Sequence, residues 1–375
     1  MRILRSIHSL NPAGGGPVEY VIRSSFVLME RGHDVEIVCL DPPDVSWPQQ
    51  SALKIHALGP GSRGYGYTPR LTQWLQDRHR DFDAAIIHGL WLYNSFGVWR
   101  VLRGTYPPYY VFPHGMLDPW FNHTYPLKHL KKLLYWPWAE RRVLRDAAAV
   151  LFTSEEERRL ARKSFPFYRC REVVVNYGIA PPDVDLALAR EDFLGRFPEL
   201  RGKELLLFLS RLHEKKGCDL LIQAFAAGHD SSMHLVMAGS CVDQVYLSRL
   251  KELAAKTGAP LTFTGMLSEN MKWGALRAAN AFILPSHQEN FGIAVVEALA
   301  CETPVLISNQ INIWREIESD NAGYVETDDL VGTTRLIERW KQTSSAQREL
   351  MRANARKCFA QRFEIQRAVD SLLEA

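Results

Sequence analysis

Short apolar runs recur along this chain, each followed by a stretch in which apolar positions return every three or four residues. "MRILRSI" reads as a first strand, followed by the loop "HSLNPAGGGP" and a helical pattern from Val18 to Arg31 that Gly32 closes. "HDVEIVCL", then 83–89 (DAAIIHG), 109–115 (YYVFPHG) and 147–154 (AAAVLFTS), continue the series. Ser154 with Glu157 three residues on reads as a capping box opening the next helix. After the proline pair and glycine of 176–187 (NYGIAPPDVDLA), a linker by composition, the pattern restarts. Its strands are 204–210, 233–239, 261–265, 281–286 and 303–308. Buried strands separated by helix-length segments predict parallel sheets covered on both faces, hence two doubly wound α/β domains facing across a cleft. Such sheets bind ligands beyond the carboxyl ends of their strands, so the polar residues just after each strand are the candidates for chemistry.

Composition narrows the class. With 375 residues, 46% hydrophobic and 23% charged, the chain has material for two cores and is neither disordered nor low-complexity. No apolar run approaches 18 residues, and the opening segment, broken by two arginines, reads as a strand and not as a signal peptide. The six cysteines are scattered and never form CxxC, which disfavours zinc and disulfide frameworks and makes a reducing cytoplasm the simplest compartment. The net charge of +3 conceals an asymmetry. Residues 1–175 hold 23 basic against 16 acidic side chains, whereas the rest hold 22 against 26. Two domains with different partners follow from this, and nucleic acid does not.

Three post-strand elements carry candidate chemistry. Gly14, Gly15 and Gly16 lie between the first strand and first helix, where a bare backbone and a helix N-terminus can approach an anion or simply make a tight turn. Their spacing matches neither GxGxxG nor GxxxxGK[ST]. In "SRLHEKKG", Arg211 and Lys216 bring two cations to a strand end, suited to a diphosphate or to plain solvation. In "PSHQENFGIAVVEALACETPVL", Glu289 lies in the loop after a strand and Glu297 eight residues on in the helix, with Asn290, Phe291, Gly292 and Ile293 at the turn between them. A carboxylate in such a loop suits sugar hydroxyls, which it can bind by two charge-assisted hydrogen bonds. Glu297 sits among alanines, valines and leucine, where an unpartnered carboxylate is costly.

These elements, with "PHG" at 113–115, resemble in order and spacing the retaining glycosyltransferases of the GT-B fold, family 4, whose E-x7-E signature matches Glu289…Glu297. The likeness runs along nearly the whole chain and extends to bacterial envelope and exopolysaccharide enzymes, including the heterocyst envelope polysaccharide type. It implies Rossmann-like domains at 1–175, joined by a C-terminal helix near 360–375, and at 176–359. It further implies that Glu289 holds the donor sugar, Glu297 the nucleotide ribose, and Arg211 and Lys216 the diphosphate, with help from Gly14–Gly16 and the amides after Glu289. His114 would contact the transferred sugar, and the base would rest near Met266 and Leu267. The implied reaction moves a hexose, glucose from UDP-glucose, to a saccharide or lipid-linked acceptor with no cofactor and no metal. GDP-mannose as donor, a UDP-sugar epimerase and a non-catalytic nucleotide-sugar sensor are the alternatives. The linker "VNYGIAPPD" departs from the family's usual "NGVD".

His88, Trp91 and Asn94 follow a strand and could face an acceptor or pack internally. The D-x-D pairs Asp81–Asp83 and Asp183–Asp185 fall before a strand and in the linker, poor places for a metal. The segment 127–145 holds six basic residues, one acidic residue and two tryptophans, the composition of a helix lying on an anionic membrane surface.

Overall fold

The computed structural model describes residues 1–45, 47, 52–62 and 64–375. The chain divides into two compact units, Met1–Gly178 with Ile365–Ala375, and Ile179–Glu364.

The first unit holds β1 (Arg2–Ile7), β2 (Asp34–Cys39), β3 (Lys54–Ala57), β4 (Ala84–His88), β5 (Tyr109–Phe112), β6 (Ala149–Phe152) and β7 (Glu172–Val174). They lie in the order 3-2-1-4-5-6-7, and each pairing is parallel. The second unit holds β8 (Glu204–Leu209), β9 (Met233–Ala238), β10 (Leu261–Gly265), β11 (Ala281–Leu284), β12 (Val305–Ser308) and β13 (Gly323–Glu326). Their order is 10-9-8-11-12-13, again parallel. The central strands are apolar without alternation because helices bury both faces, so "AFIL" and "VLIS" are buried at every position. β3, β7 and β13 escaped the sequence reading: they are short and only partly buried, so no continuous apolar run announces them.

The direction of winding reverses between β1 and β4 in one sheet and between β8 and β11 in the other. At such a switch the two following loops part and leave a crevice. This places the loops carrying Gly14–Gly16 and Trp91 at the first switch, and those carrying Arg211, Lys216 and Glu289 at the second.

The unit boundaries lie at 178/179 and 364/365 rather than at 175/176 and 359/360. Ile179 N–H bonds Phe363 O at 2.9 Å, so the outgoing and returning strands of chain pair side by side at the edge of the second unit. The last helix, Ile365–Glu374, buries Ile365, Ala368, Val369 and Leu372 on one stripe. It is tied to the first unit by Arg31 through Asp370 and Gln366, and by Ser371 Oγ, which accepts from Asn176 N–H at 3.1 Å.

The expected capping box is only half formed. Ser154 Oγ accepts from Glu157 N–H at 3.1 Å. The Glu157 carboxylate turns instead to Thr153 N–H and to Gly115 N–H at 2.7 and 2.6 Å. Gly115 follows β5, so this carboxylate fixes the turn that carries His114.

Candidate functional site

In the second unit, Ser210 and Arg211 leave β8, and the loop closes with a single 3-10 turn, Glu214–Lys216. Gly217 adopts a left-handed φ of 65°, and a Cβ there would collide with Pro285 O, so glycine lets this loop lie against the end of β11. The two loops are laced by His287 N–H to Lys215 O (2.8 Å) and Ser286 Oγ to Lys215 O (3.1 Å). The consequence is an ion pair between buried Lys216 Nζ and half-buried Glu289. Glu289 is itself held by its backbone, which exchanges hydrogen bonds of 3.0 Å with Gln310 O and Asn312 N–H. Gly292 then turns the chain left-handed (φ 74°) into the helix Ile293–Ala300, where Val295 and Val296 N–H bond Gly292 O at 2.8 and 3.2 Å and the N–H groups of Ile293 and Ala294 stand at the open end of the helix.

Glu297, about one turn into that helix, meets Lys272 Nζ at 2.6 Å from the helix Glu269–Ala278. Its apolar neighbours in sequence demanded a partner, and Lys272 is one that the linear motif does not name. Arg211 is exposed and has no carboxylate partner among the described residues. Gly239, at the end of β9, was also missed. It sits at φ 145° against Ser210 O, where any side chain would displace the start of the Arg211 loop. Met266 and Leu267 follow β10, the edge strand two places from β8, with Met266 80% exposed. Asn290 is bonded to Asn312 Nδ2 at 3.2 Å, and Phe291 is buried against Phe363.

The first unit brings together Arg5 of β1, His88 of β4 and His114 after β5. Arg5 Nε donates to His88 Nε2 at 3.2 Å, and His88 Nδ1 lies 3.0 Å from His114 Nε2. A guanidinium only donates, so His88 accepts at Nε2 and carries its proton on Nδ1. It therefore donates to His114 Nε2, which leaves His114 with its proton on Nδ1. Burial, reinforced by the Arg5 charge, pulls His114 down to about 3 and His88 well below its ordinary value, so both rings are neutral. Arg5 is fully buried and has no carboxylate partner among the described residues. It donates to Ser24 Oγ (2.6 Å), Ser25 Oγ (3.1 Å) and Val21 O (3.1 Å), and its Nη2 finds no partner there. His114 has a left-handed φ of 50°, a conformation that costs a non-glycine residue about 1–2 kcal/mol and marks a constrained position.

The glycine run is less open than its sequence suggests. Gly14 and Gly15 N–H groups bond Asn11 O and Pro12 O at 2.8 and 3.1 Å, closing a 3-10 turn, and only then does the helix begin at Gly16. The acceptor candidates face inward. His88 and Asn94 are buried, and Asn94 Nδ2 donates to His88 O at 3.0 Å. Trp91 packs among Phe165, Trp136 and Tyr135 under Lys132, whose Nζ lies 4.6 Å from the indole centroid. The polar groups of His88 and Asn94 thus shape the interior of the first crevice. Trp91 N–H and Ser95 Oγ both donate at 2.8 Å to Glu140, a fully buried carboxyl that burial pushes up to about 7.

The D-x-D pairs have structural tasks. Asp83 accepts from Arg2 N–H at 2.7 Å, Asp81 pairs with Arg78 at 3.1 Å, and Asp185 caps the helix Leu186–Arg196. Among the described residues no group of three His, Cys, Asp or Glu side chains could hold a metal ion.

Residues 15–178 match the glycosyl transferase 4-like domain family, and residues 190–357 match glycosyl transferases group 1. A D-inositol 3-phosphate glycosyltransferase of Geodermatophilus obscurus is 30% identical over 227 residues, 55% of this chain and 49% of that protein. A phosphatidyl-myo-inositol mannosyltransferase of Mycobacterium leprae is 26% identical over 83% of this chain and 79% of its own length. Two further matches, from Nocardiopsis dassonvillei and Agrobacterium fabrum, cover only 41% and 27% of the relative. Among solved structures, sucrose-phosphate synthase from Thermosynechococcus elongatus superposes with a TM-score of 0.79 at 18% identity, over all of this chain and 98% of the other. Anabaena HepE in complex with UDP superposes with a TM-score of 0.78 at 17% identity, over all of this chain and 99% of the other. With two parallel doubly wound sheets, and with a 4-like domain followed by a group 1 domain along its length, this chain belongs to the glycosyltransferases of the GT-B fold.

Proposed function

We propose that this chain transfers glucose from UDP-glucose to a hydroxyl of a saccharide or lipid-linked saccharide in envelope or exopolysaccharide synthesis, with retention at the anomeric carbon and without a metal. The observation that carries the reading is the Lys216–Glu289 pair at the switch point of the second sheet, with Glu297 eight residues further on in the helix that follows. Glu289 accepts from the hydroxyls of the transferred sugar, while Lys216 and the unpaired Arg211 take the diphosphate. The first-turn amides of the helix Ile293–Ala300 add positive potential on the same side. Glu297, oriented by Lys272, accepts from the ribose hydroxyls, and the base lies along Met266 and Leu267.

In the transfer step the bond from the anomeric carbon to the diphosphate oxygen breaks as the acceptor oxygen bonds that carbon from the same face. The acceptor's proton passes to the departing phosphate oxygen. Charge builds up on that oxygen, and preorganised cations lower the barrier by stabilising it. His114 serves as a neutral donor through Nδ1–H to the transferred sugar, while His88 and Asn94 position it. All six cysteines are unpaired, which suits a reducing cytoplasm.

HepE has been solved in complex with UDP-glucose and with UDP and glucose, which supports the donor chosen. A second reading, GDP-mannose as donor, is favoured by a GDP-mannose-dependent mannosyltransferase of Mycobacterium tuberculosis that is 35% identical over 120 residues, 31% of this chain and 30% of that protein. Thermal-shift titration with UDP, GDP and ADP decides between them, with UDP expected to stabilise most. Product analysis with UDP-glucose plus acceptor then distinguishes transfer from epimerisation, because an epimerase converts the donor with no acceptor present. Absence of stabilisation by every nucleotide defeats the reading.

A further inference from the structure

We propose that segment 126–145, together with the turn 164–171, docks this chain onto an anionic lipid bilayer, with an apolar row entering the interface and an arginine-lined recess taking a lipid phosphate. The helix Pro126–Tyr135 buries none of its residues. Leu127, Leu130 and Leu134 stand on one face at 79%, 56% and 70% exposure, and Trp138, 49% exposed, prolongs the row beyond Pro137. An outward helix face is ordinarily polar. Beside it, Phe167 is 81% exposed and held in a left-handed backbone (φ 56°). Trp136 Nε1 bonds Pro166 O at 2.8 Å and Arg141 Nε bonds Phe167 O at 3.2 Å, so the turn is fixed while its ring stays in solvent. Inside its own unit the ring is met by the Arg141 guanidinium, 5.8 Å from its centroid, and most of it stays in solvent.

The charge around this row selects the partner. Residues 120–145 and 164–171 contain a single acidic residue, Glu140, which is buried. Lys128, Lys131, Arg142, Arg169 and Arg171 have no carboxylate partner among the described residues. Arg141, Arg145, Arg169, Cys170 and Arg171 line a recess of about 480 Å³, in which Arg145 is already paired with Asp146 at 2.6 Å and Arg169 and Arg171 are the cations left for a phosphate. Guanidinium groups grip phosphate with two parallel hydrogen bonds. Leucines and an indole flanked at once by cations match the succession of acyl chains, interface and anionic headgroups in a bilayer. A second copy of this chain would bring the same cations against themselves. Among the described residues no helix is long and apolar enough to cross a membrane, so the contact is with one surface.

Co-sedimentation of the full chain with vesicles tests this without any nucleotide sugar, and so independently of the donor assignment. Binding is expected to vesicles of phosphatidylcholine with phosphatidylglycerol, to weaken with added salt, and to be absent from phosphatidylcholine alone. Leu127→Glu with Leu134→Glu, and separately Arg169→Glu with Arg171→Glu, should abolish it while leaving the thermal midpoint unchanged, since all four side chains are exposed. The milder Arg169→Gln should weaken partitioning about fivefold, the equivalent of one surface cation. Equal binding to neutral vesicles, wild-type binding by either double variant, or a concentration-dependent dimer abolished by Leu134→Glu with no vesicle binding would each overturn the proposal.

Discussion

Arg5 Nε donates to His88 Nε2 across 3.2 Å, and that single bond determines which nitrogen of His114 keeps its proton. The groups facing His114 are Arg5, His88 and Tyr177, with Tyr20 stacked beyond Tyr177 and Glu157 bonded to the next residue. None supplies a carboxylate to the imidazole itself, so nothing draws a second proton onto it. Nitrogen-15 spectra should show His114 neutral, with Nδ1–H, from pH 5 to pH 8, and the turnover profile should have no limb from it in that window. His114→Ala should lower kcat about 100-fold, the scale of one lost transition-state donor. Arg5→Met removes a charge that depresses His114, so its titration should move to higher pH; an unmoved titration rejects the relay.

Lys216 and Glu289 should behave as one unit. Replacing either, by Lys216→Met or Glu289→Gln, leaves the other charge partly buried and should cost about 1–3 kcal/mol, at the low end for Lys216→Met because Glu289 retains some solvent. The double variant should cost less than the sum of the singles in denaturant titrations. Strict additivity would show that the pair is not coupled. Each single variant should lower kcat about 100-fold.

Lys272 acts through Glu297. Lys272→Met should weaken UDP binding about tenfold by calorimetry, one hydrogen bond's worth of orientation, with kcat at saturating donor little changed. Unchanged affinity would remove Lys272 from the binding machinery.

Glu140 makes stability pH-dependent in a defined direction. Burial lifts its carboxyl to about 7 in the folded chain, against an ordinary value of 4.5. The folded state therefore holds a proton that the unfolded state releases, and stability should fall as pH rises from about 4.5 to about 7 and then level off, a loss of up to about 3 kcal/mol. Glu140→Gln mimics the protonated form, so its advantage over wild type should be larger at pH 8 than at pH 5. A pH-independent difference between the two proteins rejects the assignment.

Turnover should survive EDTA, because the diphosphate's charge is assigned to Arg211, Lys216 and helix amides. Loss of activity that magnesium restores would require a cation in the site.

Much of the architecture was legible in the chain itself. A parallel strand buried on both faces is apolar almost throughout, so β8, β9, β11 and β12 are visible in the sequence, and so are the polar residues that follow them. The halved capping box at Ser154 and the unannounced β3, β7 and β13 show where local pattern stops: Glu157 had a better use for its carboxylate at Gly115, 42 residues away. Which charges meet is decided by sheet order. Placing β11 beside β8 brings Lys216 to Glu289 over 73 positions, and placing β4 beside β1 brings His88 to Arg5 over 83. Side-chain periodicity reports only whether a position is covered or wet. The identity of the covering group depends on which strands are neighbours, and that is settled when distant segments pack.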